Sequence, residues 1–276
     1  MLEKTLTAGG VDLAYRMAGE GPAVICIQGV GVIGHGWSPQ AEALAGRHQV
    51  ITFDNRGIGR SGAGAPPLTI EAMASDVLAI MDAERIERAH VIGHSLGGLV
   101  AQQVALAARQ RVRSLALLCT FADGAAPGKL SLRMAVLGLR ARVGSRAMRR
   151  NGMIRMIMPP EYLRHVDRTA LAERLQTLFG RDLADNPPIV STQLRAMAKY
   201  SALARLGELR GIPTLVMTGA HDSIAPPRLG RAIAAAIPDA RLVEFPDASH
   251  ALPIQLVDDV NALLLEHLER CERGGQ

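Results

Sequence analysis

The segment Gly93-His94-Ser95-Leu96-Gly97-Gly98 constrains this chain more than any other, because of what flanks it. Before it runs His90-Val91-Ile92, short and β-branched, the pattern of a buried parallel strand. After it, residues 96–108 are too many for a strand and apolar almost all round, which reads as a buried helix. Glycines two positions either side of Ser95 leave room for a sharp strand-to-helix turn that lifts the hydroxyl clear of a sheet. The helix N-terminus beside that hydroxyl favours developing negative charge. A bare G-x-S-x-G pattern is a weak signal and can be a plain Gly-Ser turn. Between a strand and a helix it is a strong one, and it makes Ser95 the candidate nucleophile.

The rest of the chain alternates in the same way. Residues 2–7 and 11–17 flank Gly9-Gly10 and predict an opening antiparallel hairpin. Residues 23–27, 50–53, 89–92 and 114–119 predict buried strands, with helices over 39–45, 70–83 and 96–108 between them. In the second helix Ile70, Met73, Val77, Ile80 and Met81 fall at helical spacing, with Thr69 available as N-cap. From Ala122 to Gly211 the alternation stops, leaving helical segments rich in Arg, Met and Leu, divided by Pro159-Pro160 and Pro187-Pro188. It resumes with a strand at 214–218, a helix at 227–236, a strand at 241–245 and an amphipathic helix from Pro253 to Arg270. The expectation is an α/β fold, a mostly parallel central sheet flanked by helices. Residues 1–121 and 212–276 form its core, and 122–211 form a helical cap inserted after the sixth strand, over the catalytic face.

Composition excludes several function classes. Aromatics make up only 3% of the chain, too few for a carbohydrate-stacking surface or a single-strand nucleic-acid platform. Of the net charge of +5, much comes from residues 129–181, where twelve Lys/Arg face only Glu161, Asp167 and Glu173. This block reads first as a solvated outer face of the cap helices, and second as a means of drawing in an anionic substrate or an acidic membrane surface. No nucleic-acid-binding motif accompanies it. Cys26 and Cys119 fall in predicted strands and Cys271 in a charged tail, so no disulfide framework is visible. The opening Met-Leu-Glu-Lys-Thr has neither a basic region nor an apolar run, and no apolar stretch reaches the ~18 residues of a membrane span. A soluble cytoplasmic enzyme is the expectation.

A serine nucleophile needs a base to take its proton and a carboxylate to orient that base. Asp222 closes Leu215-Val216-Met217-Thr218-Gly219-Ala220-His221-Asp222, directly after a predicted strand. His250 sits in Pro246-Asp247-Ala248-Ser249-His250, the loop after the last strand. The order Ser95, Asp222, His250 is the one expected when the partners lie at the carboxyl ends of later strands. The long first gap accommodates the cap, and the short second gap one helix and one strand. Asp123, after the preceding strand, is a competing acid, and Asp222 could instead be a turn residue. His94 and His221 neighbour the nucleophile and the acid and are expected to shape the site without moving protons. His35, His48, His90, His165 and His267 read as surface or packing residues, and no histidine shows metal-ligand spacing. Two backbone N–H donors must surround the developing oxyanion. Leu96 supplies one, and Val30, in Gln28-Gly29-Val30-Gly31-Val32 after the strand at 23–27, is the candidate for the other.

With these residues in place, the chain resembles the capped α/β-hydrolases, close to their esterase, lactonase and perhydrolase members. The resemblance rests on Gln28-Gly29-Val30-Gly31, Asp54-Asn55-Arg56-Gly57-Ile58-Gly59-Arg60-Ser61, Gly93–Gly98, Gly219–Pro226 and Ser249-His250, and covers nearly everything outside the cap. Asp54–Ser61 matches the family's structural turn, which gives Asp54 no catalytic part. Many relatives carry His-Gly where this chain has Gln28-Gly29, so the side chain bracing the oxyanion turn has changed. A serine in place of aspartate disfavours dehalogenase or epoxide-hydrolase chemistry.

The resemblance implies hydrolysis of a carboxylic ester or lactone of a small, largely apolar molecule through an acyl-enzyme, with neither cofactor nor metal. Carbon–carbon bond hydrolysis, perhydrolysis, acyl transfer and ligand binding without turnover remain alternatives on the same scaffold. Met134, Met148, Met153, Met156, Met158, Leu137, Leu139 and Leu163 offer either an adaptable apolar wall for the substrate or core contacts between cap and main body.

Overall fold

The computed structural model describes residues 2–126 and 132–273, the side chains of 132–135 aside. Lys129 and the side chains of Arg133 and Met134 therefore lie outside the described residues. The opening hairpin joins β1 (Leu2–Ala8) to β2 (Val11–Ala18) through Gly9 and Gly10, both at positive φ (57° and 75°), as a type I′ turn requires. The strands β3 (Ala23–Ile27), β4 (Gln49–Phe53), β5 (Ala89–His94), β6 (Val112–Leu118), β7 (Thr214–Gly219) and β8 (Arg241–Phe245) follow. They form one eight-stranded sheet in the order β1-β2-β4-β3-β5-β6-β7-β8. β2 runs antiparallel to β1 and β4, and every later pairing is parallel.

The parallel strands are apolar on both sides because helices cover both faces. In β3, Ile25 and Ile27 enter the core under α2 (Ile70–Ala83), α3 (Leu96–Ala107) and α9 (Pro227–Ala236), while Val24 and Cys26 enter the core under α1 (Ser38–Leu44) and the C-terminal helix. The Thr69 hydroxyl accepts from the Ala72 N–H and caps α2, as its sequence suggests. Cys26, Cys119 and Cys271 are all unpaired thiols. Among the described residues no helix is long and apolar enough to cross a membrane.

Between β6 and β7 the chain forms α4 (Leu132–Arg140), α5 (Arg146–Ile157), α6 (Tyr162–His165), α7 (Arg168–Phe179) and α8 (Pro188–Ala198). Their own small core joins Ile154, Ile157, Met158, Leu163, Leu171, Leu175 and Leu178 to Ala251 and Ile254 of the main body. Met153 and Met156 pack against that core half-buried, whereas Leu139 and Met148 are exposed. Met158 and Leu163 thus serve cohesion between the two layers.

Two predicted elements shift. The strand expected at 114–119 ends at Leu118, because Cys119 turns to φ 45°. The helix expected to run unbroken from Pro253 to Arg270 is divided into α10 (Leu252–Gln255) and α11 (Val257–Arg273). Leu256 leaves helical geometry (φ −122°, ψ 62°), and this lets α10 bury Leu252, Pro253 and Ile254 beside the loop that carries His250.

Among the histidines buried away from that loop are His90 in β5 and His267 in α11. Burial, then the charges of His48 and Arg113, pushes His90 down to about 3, and burial, then Arg270, pushes His267 down to about 4. The unfolded chain protonates both near their ordinary value of 6.5. Between these limits the unfolded state binds more protons, so stability rises with pH and is lost on acidification. Urea unfolding from about pH 7 to about pH 4.5 is expected to show a falling unfolding free energy, with a shallower slope in His90→Gln. An unchanged slope in that variant would assign the acid sensitivity to other groups.

Candidate active site

Ser95 follows β5 directly and N-caps α3 with φ 54° and ψ −119°, a conformation that L-residues avoid. Close packing enforces it. A Cβ on Gly93 would lie 2.3 Å from the Gly97 carbonyl oxygen, and one on Gly97 would lie 2.1 Å from that of Ile27, so neither position admits a side chain. The Ser95 N–H donates to the Leu118 carbonyl (3.0 Å), and the Thr120 hydroxyl donates to the Ser95 carbonyl (2.6 Å). The strained residue is pinned from both sides.

Asp222 and His250 arrive from the loops after β7 and β8, at the same end of the sheet. The His250 Nε2 lies 3.0 Å from Ser95 Oγ, and its Nδ1 lies 2.8 Å from Asp222 Oδ2. All three side chains are buried. The other Asp222 oxygen accepts the N–H groups of Ile224 and Ala225, both at 2.8 Å, which fixes the carboxylate plane. Nδ1–H of His250 donates to Asp222, leaving Nε2 to accept from the serine hydroxyl. The structure therefore brings together the three residues singled out by order and position.

Asp123 stands apart from them: its carboxylate accepts the Ala125 N–H (3.0 Å) in a turn, and its backbone bridges Ser201. His221 exposes its ring, and only its backbone ties the two loops, through Ala248 and the Ser249 hydroxyl. His94 has a larger part than neighbourhood alone implies. Its Nε2–H donates to the His250 carbonyl (2.8 Å), and the two rings lie 5.0 Å apart. Burial, reinforced by His250, pushes His94 down to about 3, so it stays neutral and keeps this tautomer.

The N–H groups of Val30 and Leu96 have no acceptor among the described residues, as an oxyanion site requires. Gly29 lets the turn approach the nucleophile: a Cβ there would meet Ser95 Cβ at 3.2 Å and His94 Nδ1 at 3.3 Å. Gln28, in place of the family's histidine, folds its side-chain oxygen onto the Gly29 N–H (3.2 Å), while Asn55 donates to the Gln28 carbonyl (3.0 Å). Asp54 is structural, accepting the Gly34 and Arg60 N–H groups at 2.7 and 3.0 Å.

Sequence reasoning missed two residues that hold this turn from the helical insertion. The fully buried Gln193 of α8 accepts the Gly31 N–H at 2.9 Å, and its Nε2 has no hydrogen-bond partner. Arg181, after α7, donates to the Gly31 carbonyl at 3.2 Å and to the Asp185 carbonyl at 2.6 Å. Neither belongs to a motif, and the basic block gave no sign that Arg181 turns inward. Others in that block are paired on the surface, Arg146 and Arg150 with Asp182 and Arg164 with Glu161.

A cavity of about 40 Å³ adjoins His250 and His94, with Val32, Ile157, Phe179 and Ile254 among its lining. Of the eight methionines and leucines proposed from sequence, none of the seven whose side chains are described lines it. The apolar surface nearest the base comes instead from the ends of α5 and α7 and from α10. Among the described residues no cluster of His, Cys, Asp or Glu is arranged to hold a metal ion.

A fold, an elbow serine, a histidine–aspartate pair and two open N–H groups define a class. Residues 22–255 match the family model described as the alpha/beta hydrolase fold, and the chain belongs to that family. Hydrolase activity is what this membership supports. The chain is 33% identical over 267 residues to a protein of Azorhizobium caulinodans whose name proposes a carbamate hydrolase, RutD, covering 93% of this chain and 95% of that one. It is 32% identical over 275 residues to BpoC of Mycobacterium tuberculosis, whose name proposes a non-heme bromoperoxidase, covering 93% and 97%. Among solved structures, the enol-lactonase of Burkholderia xenovorans superposes with a TM-score of 0.81 at 27% identity, covering 96% of this chain and all of that one (100%).

Replacing Gln193 by Leu strands the buried Gly31 N–H, which is expected to cost about 1–3 kcal/mol of stability. If the loop holds an oxyanion, whose charge develops only in the transition state, the change should also lower kcat while leaving KM nearly unchanged. Steady-state kinetics with an unaltered kcat would separate Gln193 from oxyanion placement.

Proposed function

We propose that this protein is a serine hydrolase cleaving a carboxylic ester or lactone of a small, largely apolar molecule through an acyl-enzyme. The observation that carries this reading is the continuous relay Ser95 Oγ–His250 Nε2 (3.0 Å) and His250 Nδ1–Asp222 Oδ2 (2.8 Å), set beside the unpartnered Val30 and Leu96 N–H groups. His250 takes the Ser95 proton as Oγ attacks the substrate carbonyl carbon. The oxyanion settles against Val30 and Leu96. His250 then returns the proton to the leaving alkoxide, and in the second half it activates water to release the acid. Asp222 holds the imidazole in the tautomer that presents Nε2 to the serine.

The similarity to an enol-lactonase supports cleavage of a lactone carbonyl, and the apolar lining from Val32, Ile157, Phe179 and Ile254 supports an uncharged group next to the base. Residues 122–211 act in this reading as a cap that closes the catalytic face and braces its parts. Ile157 accepts the Ala251 N–H beside His250 (3.0 Å), and Gln193 accepts that of Gly31. A second reading, carbamate cleavage, draws on the similarity to RutD. It uses the same residues, with His250 protonating a leaving amine.

Turnover of p-nitrophenyl esters, enol lactones and carbamates by wild type, Ser95→Ala and Asp222→Asn tests both readings. Ser95→Ala is expected to reduce kcat by about 10⁴-fold or more and to abolish fluorophosphonate labelling, and Asp222→Asn to reduce kcat by about 10⁴-fold. Carbamate turnover without ester or lactone turnover would move the assignment to the second reading. Turnover that survives in Ser95→Ala would refute the nucleophile. Acetate with hydrogen peroxide as a further arm reads out perhydrolysis.

A further inference from the structure

The end of the sheet opposite Ser95 holds a cavity of about 910 Å³ that the proposed reaction leaves unused. Strands β5, β6 and β7 begin there, so it lies roughly 20 Å from the nucleophile at about 3.3 Å of rise per residue. Arg88, Arg109, Arg113 and Arg270 line it, brought together by the start of β5, the turn after α3, the start of β6 and the last turns of α11. Arginines elsewhere commonly meet acids, as Arg56 does with Asp76, Arg111 with Asp82, Arg231 with Glu244 and Arg241 with Glu266. Among the described residues, none of the four in this wall has a carboxylate within 4.0 Å.

Three of these guanidiniums are tethered by backbone carbonyls: Arg109 by Glu208 and Arg210, Arg88 by Val112 (3.4 Å), and Arg113 by Arg88 (3.3 Å). A carbonyl tether restrains a cation without neutralising it. The acid in the wall, Glu272, is already occupied by His48 Nε2 at 3.0 Å. His90 supplies a separate observation. Its ring is 1% exposed, and Nδ1 meets the Ser114 hydroxyl at 2.7 Å. Its Nε2 is buried with no hydrogen-bond partner, the Glu272 carboxylate lying 3.4 Å away outside bonding geometry. A Ser114 hydroxyl donating to Nδ1 leaves Nε2–H as an unpaired donor beside Glu272.

Four guanidiniums around one concavity, three of them tethered, exceed what a single carboxylate would neutralise, and their forked donors match phosphate oxygens. The volume falls in the range of small-molecule sites, about 300–1,000 Å³. Among the described residues no Phe, Tyr or Trp lines the cavity, so charge and not base stacking dominates recognition. We propose that this cavity is a binding site for a diphosphate-bearing small molecule, held by Arg88, Arg109, Arg113 and Arg270 with His90 at its wall.

Titration calorimetry of the full chain with sodium pyrophosphate, at ionic strength fixed by sodium chloride, tests the site. One saturable event per chain is expected, at least about tenfold tighter than sulfate at the same ionic strength. The variant R88Q/R270Q should bind pyrophosphate at least about tenfold more weakly and keep wild-type ester turnover, because neither residue touches the Ser95 site. Should that pair fail to fold, R113Q alone carries the same expectation at smaller size. ADP as a second arm separates the sources of the diphosphate. Binding equal to pyrophosphate points to the free anion, and tighter binding to a molecule whose organic part also meets the wall. Equal affinity for pyrophosphate and sulfate, or undiminished pyrophosphate binding in the folded variants, would overturn the proposal.

Discussion

The arrangement depends on one strained residue. Ser95 occupies φ 54°, a conformation that costs on the order of 1–3 kcal/mol and persists only where the surroundings over-determine it. Here the Leu118 carbonyl and Thr120 hydroxyl fix its two backbone groups. The glycines at 93 and 97 then let α3 lie almost on the backbone of β5 and β3. Because Gly97 packs against the Ile27 carbonyl, α3 also sets the position of β3, and Val30 lies three residues after that strand's last residue. The elbow therefore fixes Ser95, the Leu96 N–H and the root of the Val30 turn in one act.

The helical insertion completes what the sheet begins. Gly31 has both backbone groups held from it, the N–H by Gln193 and the carbonyl by Arg181. The loop carrying His250 is held from it as well, through the Ile157 carbonyl and the shared apolar cluster of Ile157, Ala251 and Ile254. Displacing these helices would thus loosen the oxyanion turn and the base together. The insertion is in this geometry part of the candidate site, since it holds backbone on both sides of it.

Much of this was legible in the sequence, for a physical reason. A strand buried on both faces must be short, apolar and rich in β-branched residues, and β3 to β7 display that pattern directly. Ser95, Asp222 and His250 were readable because each sits in a loop directly following a recognisable strand. Gln193 and Arg181 were not, since a side chain bonded to backbone some 150 or more residues away leaves no periodic trace. The break at Leu256 was hidden for another reason: the amphipathic pattern continues across it, and only packing of α10 beside the His250 loop bends the chain there. The methionines misled because composition reports apolar character without direction. Met158 turned into the core of the insertion and Met148 out to solvent.

His94 shows how the site handles charge. Two imidazoles with ring centres 5.0 Å apart cannot both be cations at modest cost, and the proposed mechanism needs one of them to become one. The structure resolves this by asymmetry. His250 faces the Asp222 carboxylate, which holds two backbone N–H bonds and so remains a fixed acceptor. His94 has no carboxylate partner, packs edge-on against Trp37, and spends its Nε2–H on the His250 carbonyl. A proton arriving from Ser95 is thereby confined to the ring that can return it to the leaving group. The neutral ring keeps the loop in register while the charge appears, so the residue beside the nucleophile in sequence supports the base in space without sharing its proton.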